Sequence, residues 1–139
     1  MGSDLEKIAL FLNEHHVMSL ATTDFEDLSV CSLFYVYSKE KNSFVVASSD
    51  DTTHIEHIKL NAAVSGNILL ETTTVGKIQG VQFKAVFTPL QDVELKKLYF
   101  KTFPYAVALL PKLWQIEVNY FKMTDNRLGF GNKIIWQDS

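Results

Sequence analysis

Cysteine is almost missing from this chain. Cys31 stands alone in 139 residues, so no internal disulfide can form and the composition fits a reducing compartment. Proline and glycine are sparse, at three and six, which excludes collagen-like and low-complexity chains. No apolar run approaches the ~20 residues of a membrane-spanning helix. Neither sign of charge dominates, since 13 basic residues stand against 16 acidic ones. That balance leaves no electrostatic footprint for nucleic acid, and no basic run suits an anionic membrane. The opening Met1-Gly2-Ser3-Asp4 leads into an acidic amphipathic pattern rather than a signal peptide. A cytoplasmic protein is expected.

What is present reads as a globular chain. Hydrophobic residues make up 47% and charged residues 21%, enough apolar matter for a core without metal or disulfide staples. No repeat, linker or biased tract interrupts the sequence, so one domain over residues 1–139 is expected.

The periodicity changes along the chain. Leu5, Ile8, Phe11 and Leu12 form a helical stripe over 4–14, with Ser3 and Glu6 spaced as a capping box. Val17 to Thr23 is rich in small and β-favouring residues. Leu28 to Tyr37 is apolar on both faces, as a strand between two packed layers would be. The charged turn Lys39-Glu40-Lys41-Asn42 then returns the chain through Phe44 to Ser49, which makes a hairpin. Thr53 and Glu56 predict a capped helix, followed by strands over 62–70 and 77–88. Within the latter, Ile78 is out of phase with Val81, Phe83, Ala85 and Phe87, and Gly80 at the slip predicts a bulge or a close backbone approach. A helix over 92–103 stops at Pro104, and Trp114, Ile116, Val118 and Tyr120 alternate in a final strand. About six strands with helices at their ends predict an α+β fold, a small antiparallel barrel with peripheral helices.

Most candidate chemistry is weak. Cys31 has no basic neighbour in sequence to activate it and reads as an inert thiol. His15 and His16 close the first helix, where positive charge meets the negative end of the dipole. His54 and His57, three apart on one helix, lack a third ligand in motif spacing, so no metal site is expected. Serine-hydrolase, phosphate-loop and dinucleotide motifs are absent from the sequence. The best candidate is the run Phe44 to Glu56, a strand that breaks into Ser48 and Ser49 and opens a helix at Thr52 and Thr53. A helix N-terminus ringed by hydroxyls fits a phosphate group. An ordinary capped helix explains the same residues, and Asp50 and Asp51 oppose an anion unless they face solvent. Gln79 and Gln82 suit a heterocycle carrying donors and acceptors, or a solvated strand face. The segment from Thr124 to Trp136 is apolar enough to dock on its own barrel or on a second subunit.

The order of strand SVCSLFYVY, charged turn, strand FVVASS, helix TTHIEHIKLNAAV and a strand with a central glycine resembles the flavin-binding split barrels related to pyridoxamine phosphate oxidase. GVQFK, LWQIEV and the ending DNRLGFGNKIIW are similar to one small bacterial subgroup of that superfamily. The resemblance covers nearly the whole chain and implies a six-stranded split β-barrel with FMN at a homodimer interface. It places Cys31, Ser32, Leu33 and Phe34 along the isoalloxazine ring and Ser48 and Ser49 at the phosphate. Thr53 and His54 stand where relatives commonly carry a basic pair, so hydroxyls, backbone N–H groups and a protonated His54 would hold the phosphate. Gln79 or Gln82 would reach the ring, and Lys133 to Trp136 would close the site from the other subunit. The basic substrate-binding residues of true pyridoxamine phosphate oxidases have no counterpart in the tail, which argues against that activity. The implied function is an FMN-dependent oxidoreductase acting on a small substrate. The alternatives are a flavin or haem storage or sensing protein, with His54 or His57 as axial ligand, and an interaction dimer with an empty cleft.

Overall fold

The structure, a computed structural model, describes residues 2–138. The chain runs α1 (Gly2–Glu14), β1 (Val17–Thr23), β2 (Leu28–Phe34), β3 (Val36–Ser38), β4 (Ser43–Ala47), α2 (Thr53–Leu60), β5 (Ala63–Leu69), β6 (Gln79–Pro89), α3 (Val93–Thr102), β7 (Leu113–Asp125) and β8 (Lys133–Gln137). α1 begins earlier than expected, and the capping box expected of Ser3 rests on a side chain outside the described residues. No helix among the described residues is long and apolar enough to cross a membrane.

All pairings are antiparallel, in the order β2-β1-β5-β6-β7-β4-β3, with β8 on the free flank of β7. The two ends of that path, β2 and β3, are consecutive in sequence and separated only by Tyr35. A sheet whose first and last strands are joined by one residue has to curl round on itself. Tyr35 holds the joint: its N–H donates to the His16 carbonyl at 3.0 Å and its hydroxyl to the Leu12 carbonyl at 2.7 Å. The fold is therefore an α+β antiparallel barrel, as expected, but with eight strands in place of six. One extra strand comes from the break at Tyr35, which splits the strand expected over 28–37. The other comes from the tail, which docks on its own barrel as β8.

β2 also differs in character from the expectation of a strand buried on both faces. It pairs only with β1, and its outward residues Leu28, Val30 and Phe34 are exposed. The bulge is displaced as well. Pairing runs unbroken from Gln79↔Asp125 to Lys84↔Tyr120 and then shifts to Ala85↔Val118, so the extra residue is Asn119 on β7 and not Gly80 on β6. Burial on β7 records the slip, passing from Trp114, Ile116 and Val118 to Phe121, Met123 and Asp125. Ile78, the residue out of phase, caps a 3-10 turn and stands outside the strand. The close backbone approach lies on β5, at Gly66, where an added Cβ would stand 2.5 Å from both the Phe83 ring and the Ser19 carbonyl.

Phe44 occupies the barrel centre, fully buried, with its ring centroid 4.9 Å from that of Phe83 and 5.1 Å from that of Tyr35. A smaller cluster joins Leu95 and Tyr99 of α3 to Val36, Val45 and Leu113 on the outside of the sheet. Asp92 starts α3 by accepting a hydrogen bond from the Leu95 N–H.

Candidate functional site

β4 ends where the chain must leave the barrel, and the residues that follow gather at one rim. Ser48 is fixed through its backbone, donating to the Lys112 carbonyl at 3.1 Å and accepting from the Trp114 indole N–H at 2.9 Å. Its hydroxyl meets Nε2 of buried His54 at 2.7 Å. Burial holds the His54 imidazole below its ordinary pKa, and nearby His57 adds to the effect. A shift in that direction disfavours the protonated His54 expected at a phosphate.

The helix start differs from the expected capping box. Thr52, not Thr53, is the N-cap residue of α2, and its hydroxyl donates to the Ser49 carbonyl at 2.9 Å instead of capping the helix. The first turn of α2 thus has no side-chain cap, and its leading N–H groups remain available to another acceptor. The hydroxyl-bearing Ser49 and Thr53 are exposed beside it. Asp50 and Asp51 are exposed too, and Lys112 donates to both oxygens of Asp50 at 2.9 and 3.2 Å. That contact holds the Asp50 carboxyl below the usual range. The ammonium of Lys112 also lies 4.7 Å from the centre of the Trp114 ring.

His57 anchors the same rim. Its Nδ1 meets the Thr22 hydroxyl at 2.9 Å and its Nε2 the Asp27 carboxylate at 3.1 Å. Helix α2 is thereby tied to β1 and to the turn between β1 and β2. Both ring nitrogens are engaged, the ring is buried, and Nε2 of His54 is engaged by Ser48. His57 can serve as an axial haem ligand only by breaking these contacts, and His54 can do so through Nε2 only by leaving Ser48. Replacing His57 with alanine strips buried Thr22 of its partner and is expected to cost about 2 kcal/mol, or roughly 6–10 °C in a thermal melt. An unchanged melting temperature would refute this anchoring role.

β2 runs beside α2 and β4, so the strand and the helix expected to share a ligand are neighbours. Alternation along the strand divides the expected set. Cys31 and Leu33 pack against the core, while Ser32 and Phe34 point outward and are exposed. Burial pushes the Cys31 thiol up, as befits an unreactive cysteine.

The remaining residues lie elsewhere. Gln82 is on the outer sheet face, lining a shallow cavity of about 360 Å³ with Lys84 and Tyr120. Gln79 sits opposite Asp125 at the far end of β6. Lys133 pairs with Thr124 and Trp136 with Phe121, whose ring centroid is 6.0 Å from that of Trp136. Thr124 is ten residues from Trp114 along β7, roughly 30 Å at strand rise. Within one chain, Lys133 and Ser48 stand at opposite ends of the barrel.

Tyr105 to Leu110, which reads in sequence as a short apolar helix or turn before Pro111, forms a 3-10 turn over Pro104–Leu109 that ends at Leu110. Phe103 places its ring centroid 6.3 Å from that of Phe34, and Lys112 binds Ser48 through its carbonyl. The residues on either side of the turn therefore touch the end of β2 and the residue that follows β4. The signal was an apolar run, Tyr105 to Leu110, bracketed by two prolines in a chain that has three.

An antiparallel barrel closed through one residue, with helices at its rims, is the split-barrel architecture. Solved structures carry the same fold. HutZ, the haem storage protein of Vibrio cholerae, has a TM-score of 0.69 at 16% identity over 82% of this chain and 89% of its own. A FAD-binding protein of Mesorhizobium loti has 0.70 at 16% identity, over 85% and 90%. A putative pyridoxamine 5′-phosphate oxidase of Listeria innocua has 0.69 at 12% identity, over 86% and 96%. No family model matches the sequence. A curated relative does: a UPF0306 protein of Photorhabdus laumondii is 34% identical over 130 residues, 91% of each chain. The chain belongs to the UPF0306 family.

Proposed function

We propose that this protein binds FMN at the junction of β2 and α2, as a homodimer, and works as a flavin-dependent oxidoreductase on a small substrate. The observation that carries the reading is the uncapped first turn of α2, flanked by exposed hydroxyls, on a helix that neighbours β2. The free N–H groups, with Ser49 and Thr53, would hold the phosphate, and the helix dipole favours its charge. Ser32 and Phe34 would lie along the ring system. His54 positions Ser48 instead of meeting the phosphate as a cation. The pairing of Asp50 with Lys112 offsets one of the two charges that would oppose an anion. Fold relatives named for FAD and haem binding support a planar cofactor in this architecture. The engagement of both His57 nitrogens and of Nε2 of His54 favours flavin over haem.

A second copy enters because the far end of the barrel, with Lys133 and Trp136, cannot reach α2 within one chain. The outward apolar residues Leu28 and Val30 of β2 offer surface for that contact. A bound flavin would carry the redox chemistry, and the protein would orient it and exclude water.

The visible spectrum of the purified protein, recorded before and after FMN is added and the excess removed, tests the reading. A retained flavin spectrum is expected. Ser49→Ala with Thr53→Ala should weaken FMN binding about tenfold without changing the fold, since both side chains are exposed. Equal affinity in that variant would dismiss the phosphate seat, and a Soret band in place of a flavin spectrum would favour the haem reading.

A further inference from the structure

A cavity of about 240 Å³ opens between α1 and the paired ends of β6, β7 and β8, away from Ser48. Its buried lining is apolar, with Phe11 and Met123 each 3% exposed and Ile134 half-buried beside them. Lys7, Glu14, Gln79, Asp125 and Arg127 share the same space. Apolar walls with a few convergent polar groups are the make-up of a small-molecule site. The volume falls below the roughly 300–1,000 Å³ of sites for drug-sized ligands, so the occupant is small.

The four charges cancel, but they are not all spent. Asp125, almost fully buried, holds Nε and Nη2 of Arg127. Those bonds use one edge of the guanidinium fork. The edge that carries Nη1 donates to no described residue, and its shape suits a second carboxylate. Glu14 lies near it: after Asp125, Glu14 helps to raise the Arg127 guanidinium above its ordinary pKa. Among the described residues, though, Arg127 forms an ion pair with Asp125 alone. Glu14 is also the last residue of α1, where a carboxylate meets the negative end of the helix dipole and gains nothing from it. Two opposite charges that line one cavity without touching fit a molecule that carries both.

We infer that this cavity binds a small α-amino acid with an apolar side chain. The carboxylate takes the open edge of Arg127, the ammonium meets Glu14, and the side chain packs on Phe11, Met123 and Ile134. Charge decides the class. An occupant with only a negative charge would meet Glu14, and one with only a positive charge would meet Arg127 and Lys7. A neutral apolar molecule would strip water from both ends and pair with neither. Lys7 lies two helical turns before Glu14 on the same face of α1. After Arg127, it helps to hold the Asp125 carboxyl below its ordinary range, and it adds positive charge for the incoming carboxylate. The inference does not rest on the flavin reading, whose proposed contacts use none of these residues.

Isothermal titration calorimetry of the full chain with L-leucine tests it. The comparisons are isocaproate, which is leucine without its ammonium, and isoamylamine, which is leucine without its carboxylate. Leucine is expected to bind at least about tenfold more tightly than either. Glu14→Gln should weaken leucine about tenfold and bind isocaproate no less tightly than the wild type does. That side chain is exposed and stands at the unfavourable end of the helix dipole, so the variant keeps its fold. In protein carrying isotope-labelled methionine methyl groups, the Met123 resonance should move as leucine saturates. No binding of leucine, equal binding of either analogue, an unaltered Glu14→Gln variant, or a Met123 resonance that stays in place while leucine binds would each overturn the inference.

Discussion

Replacing Gly66 with alanine is expected to cost about 3 kcal/mol, lowering the melting temperature by roughly 10 °C. Gly66 lies at the middle of β5, between Leu20 of β1 and Phe83 of β6. A methyl group there would come within 2.5 Å of the Phe83 ring and 2.5 Å of the Ser19 carbonyl. The ring could turn aside only by disturbing its contact with Phe44 at the barrel centre. The carbonyl could retreat only by opening the ladder between β1 and β5. Gly80→Ala is the matched control, because its nearest atom would be 3.5 Å away, an ordinary contact. Thermal unfolding followed by circular dichroism compares the two. If Gly66→Ala melts with Gly80→Ala, the tight approach is not what closes the barrel.

Asp125→Ala should be almost as costly, about 2–3 kcal/mol, and its damage should be concentrated at β8. The Asp125 carboxylate is 3% exposed and accepts from the Arg127 N–H at 3.0 Å, from Nε at 3.1 Å and from Nη2 at 2.9 Å. These bonds shape the turn that brings the chain back to pair Lys133 with Thr124. The Arg127 guanidinium is the main cause that holds the Asp125 carboxyl below its ordinary value. The sign follows directly. A carboxyl with a depressed native pKa stabilises the fold fully above the ordinary aspartate pKa of about 3.9. That contribution is lost as pH falls through the lower native value. Amide exchange at residues 133–137 should therefore accelerate in the wild type below about pH 4. In Asp125→Ala it should already be fast at pH 7, with little added acid response. Equal acid profiles for the two proteins would show that another group holds the tail.

Much of the architecture was legible because burial repeats along the chain. The stripe of α1, the alternation of β6 and the helix opened by Asp92 all follow from local pattern and capping chemistry. The break at Tyr35 was not legible, since Leu28 to Tyr37 contains no glycine or proline to mark it. What breaks that strand is the need of its two halves to pair on opposite ends of one sheet. The bulge was assigned to the glycine, whereas the phase change from Val118 to Phe121 on β7 carried the signal. Thr53 looked like a cap because its spacing to Glu56 is right. The helix instead starts after Thr52, whose hydroxyl bonds back to Ser49.

By itself the sequence determined the class of the protein: a thiol-poor, charge-balanced barrel of antiparallel strands with hydroxyls at the opening of one helix. Those properties are local or summed, and each can be counted along the chain. Tertiary structure alone decided which residues share a site. It brought Phe103 to Phe34 and Lys112 to Ser48, pairs far apart in the chain, and separated Gln79 and Lys133 from them by the length of β7. It also placed His54 against Ser48 and buried it, which disfavours the charged form of a candidate cation. Proximity and dielectric arise only when distant segments close on one another, and no periodicity along a strand or helix encodes them.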